Sequence, residues 1–208
     1  MSKSPRKLRE IVEYLSDQLT RGWAALWVAQ QIDRARREER LDRARSLLAT
    51  TYDACVESAI LALARLTVAH KDSISVAYLL NCVDQSPSAF PLPERPAVAD
   101  AVARHRALLG DLQPLVDRVK DYRDRTIAHL DKRYVNRRDT LHTYPPPALD
   151  EVEQAFVSIA AVLNACLRTL DLPELDLARL ESDLAAEWAA LLDTDAEVQP
   201  SRDDSTNP

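Results

Sequence analysis

The chain has 208 residues, a formal net charge of −6 and 46% hydrophobic residues, enough for one hydrophobic core but too acidic to coat nucleic acid with its whole surface. It holds only two glycines amid abundant Ala, Leu, Arg, Glu and Asp, so tight β-hairpins would lack their preferred residue and an all-α protein is expected. No uncharged apolar run reaches the roughly 18 residues of a bilayer span, and the basic Met1–Glu10 segment lacks the apolar core of a signal peptide. A cytoplasmic protein with no membrane partner follows as the expectation.

The first helix is expected from about Leu8 to Asp33, because Ile11, Leu15, Leu19, Trp23 and Leu26 recur at three- and four-residue steps. Trp23 and Trp27, one turn apart, read as packing residues rather than ligand-stacking ones. A break is expected near Arg37–Arg40. The second helix carries the clearest stripe, Leu48, Tyr52, Cys55, Val56, Ala59, Ile60, Leu63 and Leu66, and ends before His70. Asp72 or Ser73 then reads as the cap of a short third helix through Val76, Leu79, Leu80 and Val83. Four prolines between Ser86 and Pro96 mark a loop.

A fourth helix runs from Pro96 to Gly110, where glycine reads as the stop, and Asp111 opens a fifth with Pro114 in its first turn. The fifth keeps one apolar face through Leu112, Leu115, Val116, Val119, Ile127 and Leu130. Pro145–Pro147 make the connection after it stiff and extended. Asp150 is expected to cap a sixth helix through Leu170, ended by Pro173, and a last helix spans about Asp176–Leu192. The expectation is therefore a compact antiparallel bundle of six to seven helices over residues 1–192, with 193–208 too polar and apolar-poor to order.

Cys55, Cys82 and Cys166 are odd in number and lie among apolar residues, which fits reduced thiols packed as small hydrophobes. His70, His105 and His142 are far apart and share no metal-ligand spacing with Asp or Glu, and no glycine-rich phosphate loop exists. No metal or cofactor is expected.

One segment departs from this pattern. Between Arg118 and Arg138 the basic residues outnumber the acidic ones, an excess that a solvated helix face would equally produce. Within it, at about 100° per residue, Leu112, Val116, Val119, Ile127 and Leu130 all project within about 40° of Arg123. An arginine thus stands where leucine is expected. It cannot shed its charge, so it needs a compensating partner: an internal ion pair with a neighbouring helix, a route out to solvent, or an anionic ligand in a cleft or across a subunit interface. Arg125 falls on the opposite face, one turn beyond Asp121, and reads as solvated. His129 lies near the margin of the apolar stripe, and helix geometry partners it with Arg125 as readily as with Arg123.

Arg123, Asp124, four further residues and His129 resemble the Arg-polar-x(3–5)-His signature of the HEPN superfamily. The run from Arg123 to Lys132, together with Ala62–Thr67 and Lys71–Ser75, is similar to its abortive-infection AbiU-type group, with the likeness spanning about Leu8 to Leu170. The resemblance implies a helical bundle and a metal-independent endoribonuclease acting on RNA, its cleft built from the motif helices of a homodimer. Arg123 would stabilise phosphate charge, His129 would move protons as the 2′-hydroxyl attacks, and Asp124 would orient one of them. Arg125, Lys132 and Arg133 would hold the RNA backbone. Where some relatives carry a modifiable tyrosine two residues after the histidine, this chain has Asp131, so that regulation is not carried over. A cognate antitoxin or defence-operon partner fits this class, as does a second reading, a non-catalytic scaffold in such a system. A DNA-binding regulator fits less well, given the acidic balance and the want of a recognition helix.

Overall fold

Ser4 opens the first helix: its hydroxyl accepts the Lys7 amide at 3.4 Å, and Pro5 occupies the first turn, where a missing N–H costs little. In this computed structural model, which describes residues 4–38, 45–68, 70, 73–86, 95–124 and 146–194, seven helices and no strand occur among the described residues. They are α1 (Pro5–Arg37), α2 (Arg45–Thr67), α3 (Val76–Asp84), α4 (Arg95–Asp111), α5 (Gln113–Tyr122), α6 (Leu149–Thr169) and α7 (Leu177–Thr194). The chain divides into two units, one ending at Leu175 and the other beginning at Asp176.

The core of the first unit forms where α1 lies against α2 and α6. Leu8, Leu15, Leu19, Leu26 and Ile32 of α1 are fully buried, as are Ile60, Leu63 and Leu66 of α2 and Phe156, Ile159 and Leu163 of α6. At the crossing sits Gly22, where an added Cβ would lie 2.6 Å from both the Ala62 Cβ and the Phe156 Cζ, so only glycine lets the three helices approach this closely. Trp23 meets the Phe156 ring edge-on, with centroids 6.3 Å apart, so it is the packing residue its spacing foretold. Gln30 on α1 donates to Glu153 on α6 at 2.6 Å, and Arg9 closes the other end of the pair by donating to the Leu170 carbonyl at 2.8 Å.

Helix α2 over Ser46–Thr67 is long and apolar enough to cross a membrane by length and composition, although Asp53, Glu57 and Arg65 interrupt it. Its buried stripe against α1 accounts for that apolarity as core.

Several helix ends differ from the sequence expectation. The cap of α3 is Ser75, which is buried and accepts the Tyr78 amide at 3.3 Å; Ser73 is instead spent on the loop, bonded to the His70 backbone, and Asp72 lies outside the described residues. Gly110 does not stop α4. It keeps an ordinary helical φ, α4 includes Asp111, and α5 begins after the single residue Leu112 with no side-chain cap. Asp150 is not the cap of α6: that place is Ala148, whose amide donates to the Glu151 carboxylate at 3.1 Å.

Helix α6 ends before Pro173, at a left-handed turn. Asp171 has φ of 54°, the Leu172 amide reaches the Leu167 carbonyl at 2.9 Å and the Asp171 amide reaches that of Arg168 at 3.1 Å, the paired bonds of a Schellman motif. Asn164 then pins the following strand of chain by exchanging two hydrogen bonds with the Leu175 backbone. In the second unit, Asp176 caps α7 by accepting the Arg179 amide at 2.9 Å, close to the expected start.

Candidate functional site

Helix α5 buries Leu115, Val116 and Val119, and it is held at two places. On one side Tyr122 is half-buried beside α2, where burial and then the carboxylates of Glu57 and Asp53 push its phenol above the ordinary value. On the other, Arg118 makes a two-pronged bond to Glu151 at the start of α6, at 3.1 and 2.6 Å. That pairing lowers the Glu151 carboxyl, helped by the Ala148 amide. The helix end that carries Arg123 is thus fixed against both α2 and α6.

At Arg123–Asp124 the backbone widens from an α- to a π-type turn, with the Arg123 amide still reaching the Lys120 and Val119 carbonyls. The steps of about 100° used to project later residues from Arg123 apply only up to this widening. The Arg123 side chain is 28% exposed, so the burial expected from the apolar stripe is incomplete. Its charge is met by the next residue in the chain: Nε donates to Asp124 Oδ1 at 2.7 Å, and Nη2 donates to the same oxygen. Of the compensations open from the sequence, the described residues supply a local ion pair. A guanidinium carries five N–H donors, and Nη1 keeps both of its own free among the described residues. Asp124 is thus the residue that meets the Arg123 charge.

Arg125, His129, Lys132 and Arg133 lie outside the described residues, as does His142. Of the basic excess that can be followed, Arg118 is committed to Glu151 and Arg123 to Asp124. Lys120 makes no ion pair among the described residues. His105 is a part-buried residue of α4 whose imidazole is held below its ordinary value, first by burial and then by Arg104 and Arg168. Among the described residues no three His, Cys, Asp or Glu side chains gather as metal ligands.

The sequence reading missed a cleft of about 440 Å³ between the end of α2, α3, α4 and the start of α5. Leu66, Val76, Leu112 and Val116 line it with apolar surface, and Asp117 and Lys120 stand at it from α5. Gln113, Asp117 and Lys120 follow at steps of four and three, so the cleft face of α5 runs toward the widened turn at Arg123–Asp124. Nothing local signals such a cleft, since its walls come from four helices; the one trace is a glycine, Gly110, with no turn to explain it.

A family model described as AbiU2, a HEPN domain, matches residues 6–191 of the chain. No curated protein and no solved structure matches it.

Proposed function

Because the chain belongs to the AbiU2 family of HEPN domains, we propose that it is a metal-independent endoribonuclease, a toxin or abortive-infection effector of the cytoplasm. The family match runs across both structural units, which supports treating residues 1–192 as one functional domain and 193–208 as its tail. The observation that carries the reading is the Arg123 guanidinium at the widened end of α5. It is paired with Asp124, has N–H donors at Nη1 that meet no partner among the described residues, and precedes His129 at the family's spacing.

In this reading the 2′-oxygen of RNA attacks the adjacent phosphorus, forming the O2′–P bond while the P–O5′ bond breaks. His129 accepts the 2′-hydroxyl proton, and the His129 of a second copy supplies one to the departing 5′-oxygen. Imidazole suits both roles near neutral pH, and each positioned proton transfer is worth about 10²- to 10⁴-fold. Arg123 directs its free N–H groups at the equatorial phosphate oxygens, where negative charge grows. Arg125, Lys132 and Arg133 bind the RNA backbone. The products are a 2′,3′-cyclic phosphate and a 5′-hydroxyl.

The test is cleavage of RNA by the purified protein in chelator-containing buffer, with the product ends identified. Cyclic phosphate ends are expected, with Arg123→Ala and His129→Ala each slowing the reaction by about 100-fold or more. Arg123→Lys should not restore it, because an ammonium lacks the planar fork. The reading fails if wild type leaves RNA intact, or if His129→Ala cuts equally well.

One observation favours a second reading, a non-catalytic partner in a defence or toxin–antitoxin system: Asp124 already neutralises Arg123 within the chain. Overproduction separates the two. A nuclease arrests growth and Arg123→Ala relieves the arrest, whereas a scaffold is harmless in either form.

A further inference from the structure

With only two glycines in the chain, each asks for a reason. Gly22 has one in the contact of three helices. Gly110 has none among the described residues: it lies in the last turn of α4 without a positive φ, and an added Cβ would meet nothing within 4 Å there. Glycine is a poor helix residue, so retaining it there is a cost without an internal return. Gly110 also lines the cleft beside α5, where Arg106 and Leu109 share its helix face. A bare backbone at this wall leaves room for something from outside.

The remaining walls say what that is. Leu109 and Leu112 leave part-exposed apolar surface for the faces of a flat ring, over a floor closed by the buried Leu66, Val76 and Val116, in a space within the usual range for small-ligand pockets, roughly 300–1,000 Å³. Asp117 is a pure hydrogen-bond acceptor, and its Oδ1 is steadied by the Gln113 amide at 2.8 Å, which among the described residues leaves Oδ2 and the second lone pair of Oδ1 for a pair of ligand donors. Asn81 accepts from Arg106 at 2.9 Å through its carbonyl oxygen, so among the described residues its amide N–H groups are left to donate. Arg106 is itself neutralised by Asp84 at 2.9 Å. Lys120 stands one helical turn before Arg123, about 4.5 Å along the axis.

We infer that this cleft is a base-selective subsite for a guanine next to the scissile bond of single-stranded RNA, an assignment that rests on the nuclease reading above. Guanine alone among the RNA bases presents two adjacent N–H donors, at N1 and N2, beside the acceptor O6. Asp117 takes the donors, Asn81 donates to O6, and Lys120 meets the phosphate that leads on to Arg123. Uracil offers one donor between two carbonyls, which the Asp117 carboxylate disfavours.

The experiment titrates the full-length protein with guanosine and uridine 5′-monophosphates, then with a 2′-O-methylated oligoribonucleotide that cannot be cleaved, containing either G or U. The guanine forms should bind at least tenfold more tightly, and Asp117→Asn should erase the preference. Gly110→Leu should abolish guanosine monophosphate binding without lowering Tm, since leucine favours the helix and its Cβ enters open space. Equal affinity for the two bases overturns the proposal, as does undiminished binding by Gly110→Leu. Binding of the mononucleotide without the G-containing oligomer overturns the RNA assignment and points to a free nucleotide effector. Cleavage by wild type without guanine binding defeats the subsite alone; guanine binding without any cleavage defeats the nuclease reading.

Discussion

Replacing Gly22 by alanine inserts one methyl carbon where α1, α2 and α6 meet. Its Cβ would lie 2.6 Å from the Ala62 Cβ, 2.6 Å from the Phe156 Cζ and 2.9 Å from Cε1, against a carbon–carbon optimum of about 3.5–4.0 Å. The neighbours cannot simply turn away: Phe156 is fully buried and braced by Trp23, and Ala62 has no rotamer to change. Relief therefore requires the helices to part by about 1 Å. Overpacking of this kind costs roughly 1–3 kcal/mol or more, and the intrinsic advantage of alanine over glycine in a helix, about 1 kcal/mol, offsets part of it. The net loss of about 1–2 kcal/mol, at about 2–4 °C per kcal/mol for a chain of this size, should lower Tm by roughly 2–8 °C in calorimetry or circular dichroism. Gly110→Ala is the matched control, with the same change in a helix but open space at the new methyl, and it should hold or raise Tm. Adding Phe156→Leu should recover part of the Gly22→Ala loss, because the two sites share one contact. A Gly22→Ala protein as stable as wild type would refute the packing argument.

The other predictions concern helix ends and titrating groups. Asp171 holds a left-handed φ that costs an L-residue about 1–2 kcal/mol, of which the extra backbone entropy of glycine, about 0.5–1 kcal/mol, offsets roughly half, so Asp171→Gly should raise Tm by roughly 1–4 °C; a fall would mean the Asp171 side chain itself stabilises the turn. The lowered Glu151 carboxyl contributes stability above the ordinary carboxylate value, and this is lost as pH falls through the folded-state value. Arg118→Ala should therefore flatten the acid side of the stability profile, with only a small effect near neutrality because the pair is exposed. His105 carries the opposite proton balance to a paired histidine. Its folded value lies below the unfolded one near 6.5, so the unfolded chain binds the extra proton and stability declines as pH drops below about 6.5. His105→Gln should remove that decline in denaturant titrations at pH 7.5 and 5.5; an unchanged slope would mean that burial by α3, α4 and α6 does not govern the group.

Much of the fold was legible because helix periodicity is a local property. Ile11 to Leu26 and Val56 to Leu66 repeat at three and four residues whatever they pack against, and the structure buries those stripes, leaving the earlier α2 positions Leu48, Tyr52 and Cys55 part-exposed. Caps were less legible, since neighbouring serines compete on equal chemical terms. Ser75 prevails over Ser73 because it is the one at the turn's entry, while Ser73 is drawn to the His70 backbone. Gly110 misled for a related reason: a glycine near a helix end usually marks a left-handed cap, but here the helix runs through it.

The site divides in the same way. That Arg123 needs a partner followed from its place on an apolar face, because a permanent charge cannot be buried alone. Which partner it took did not follow, since side chains one residue apart do not face each other on a regular helix, and Asp124 was therefore not the expected neighbour. The linear order of residues was sufficient for the all-α class, the helix stripes and the family-like Arg…His motif, for these depend on spacing along one chain. Only the tertiary structure decided the crossing at Gly22, the clamp between Arg118 and Glu151 and the cleft beside α5. Each of these depends on distances between segments far apart in sequence, which packing alone brings together.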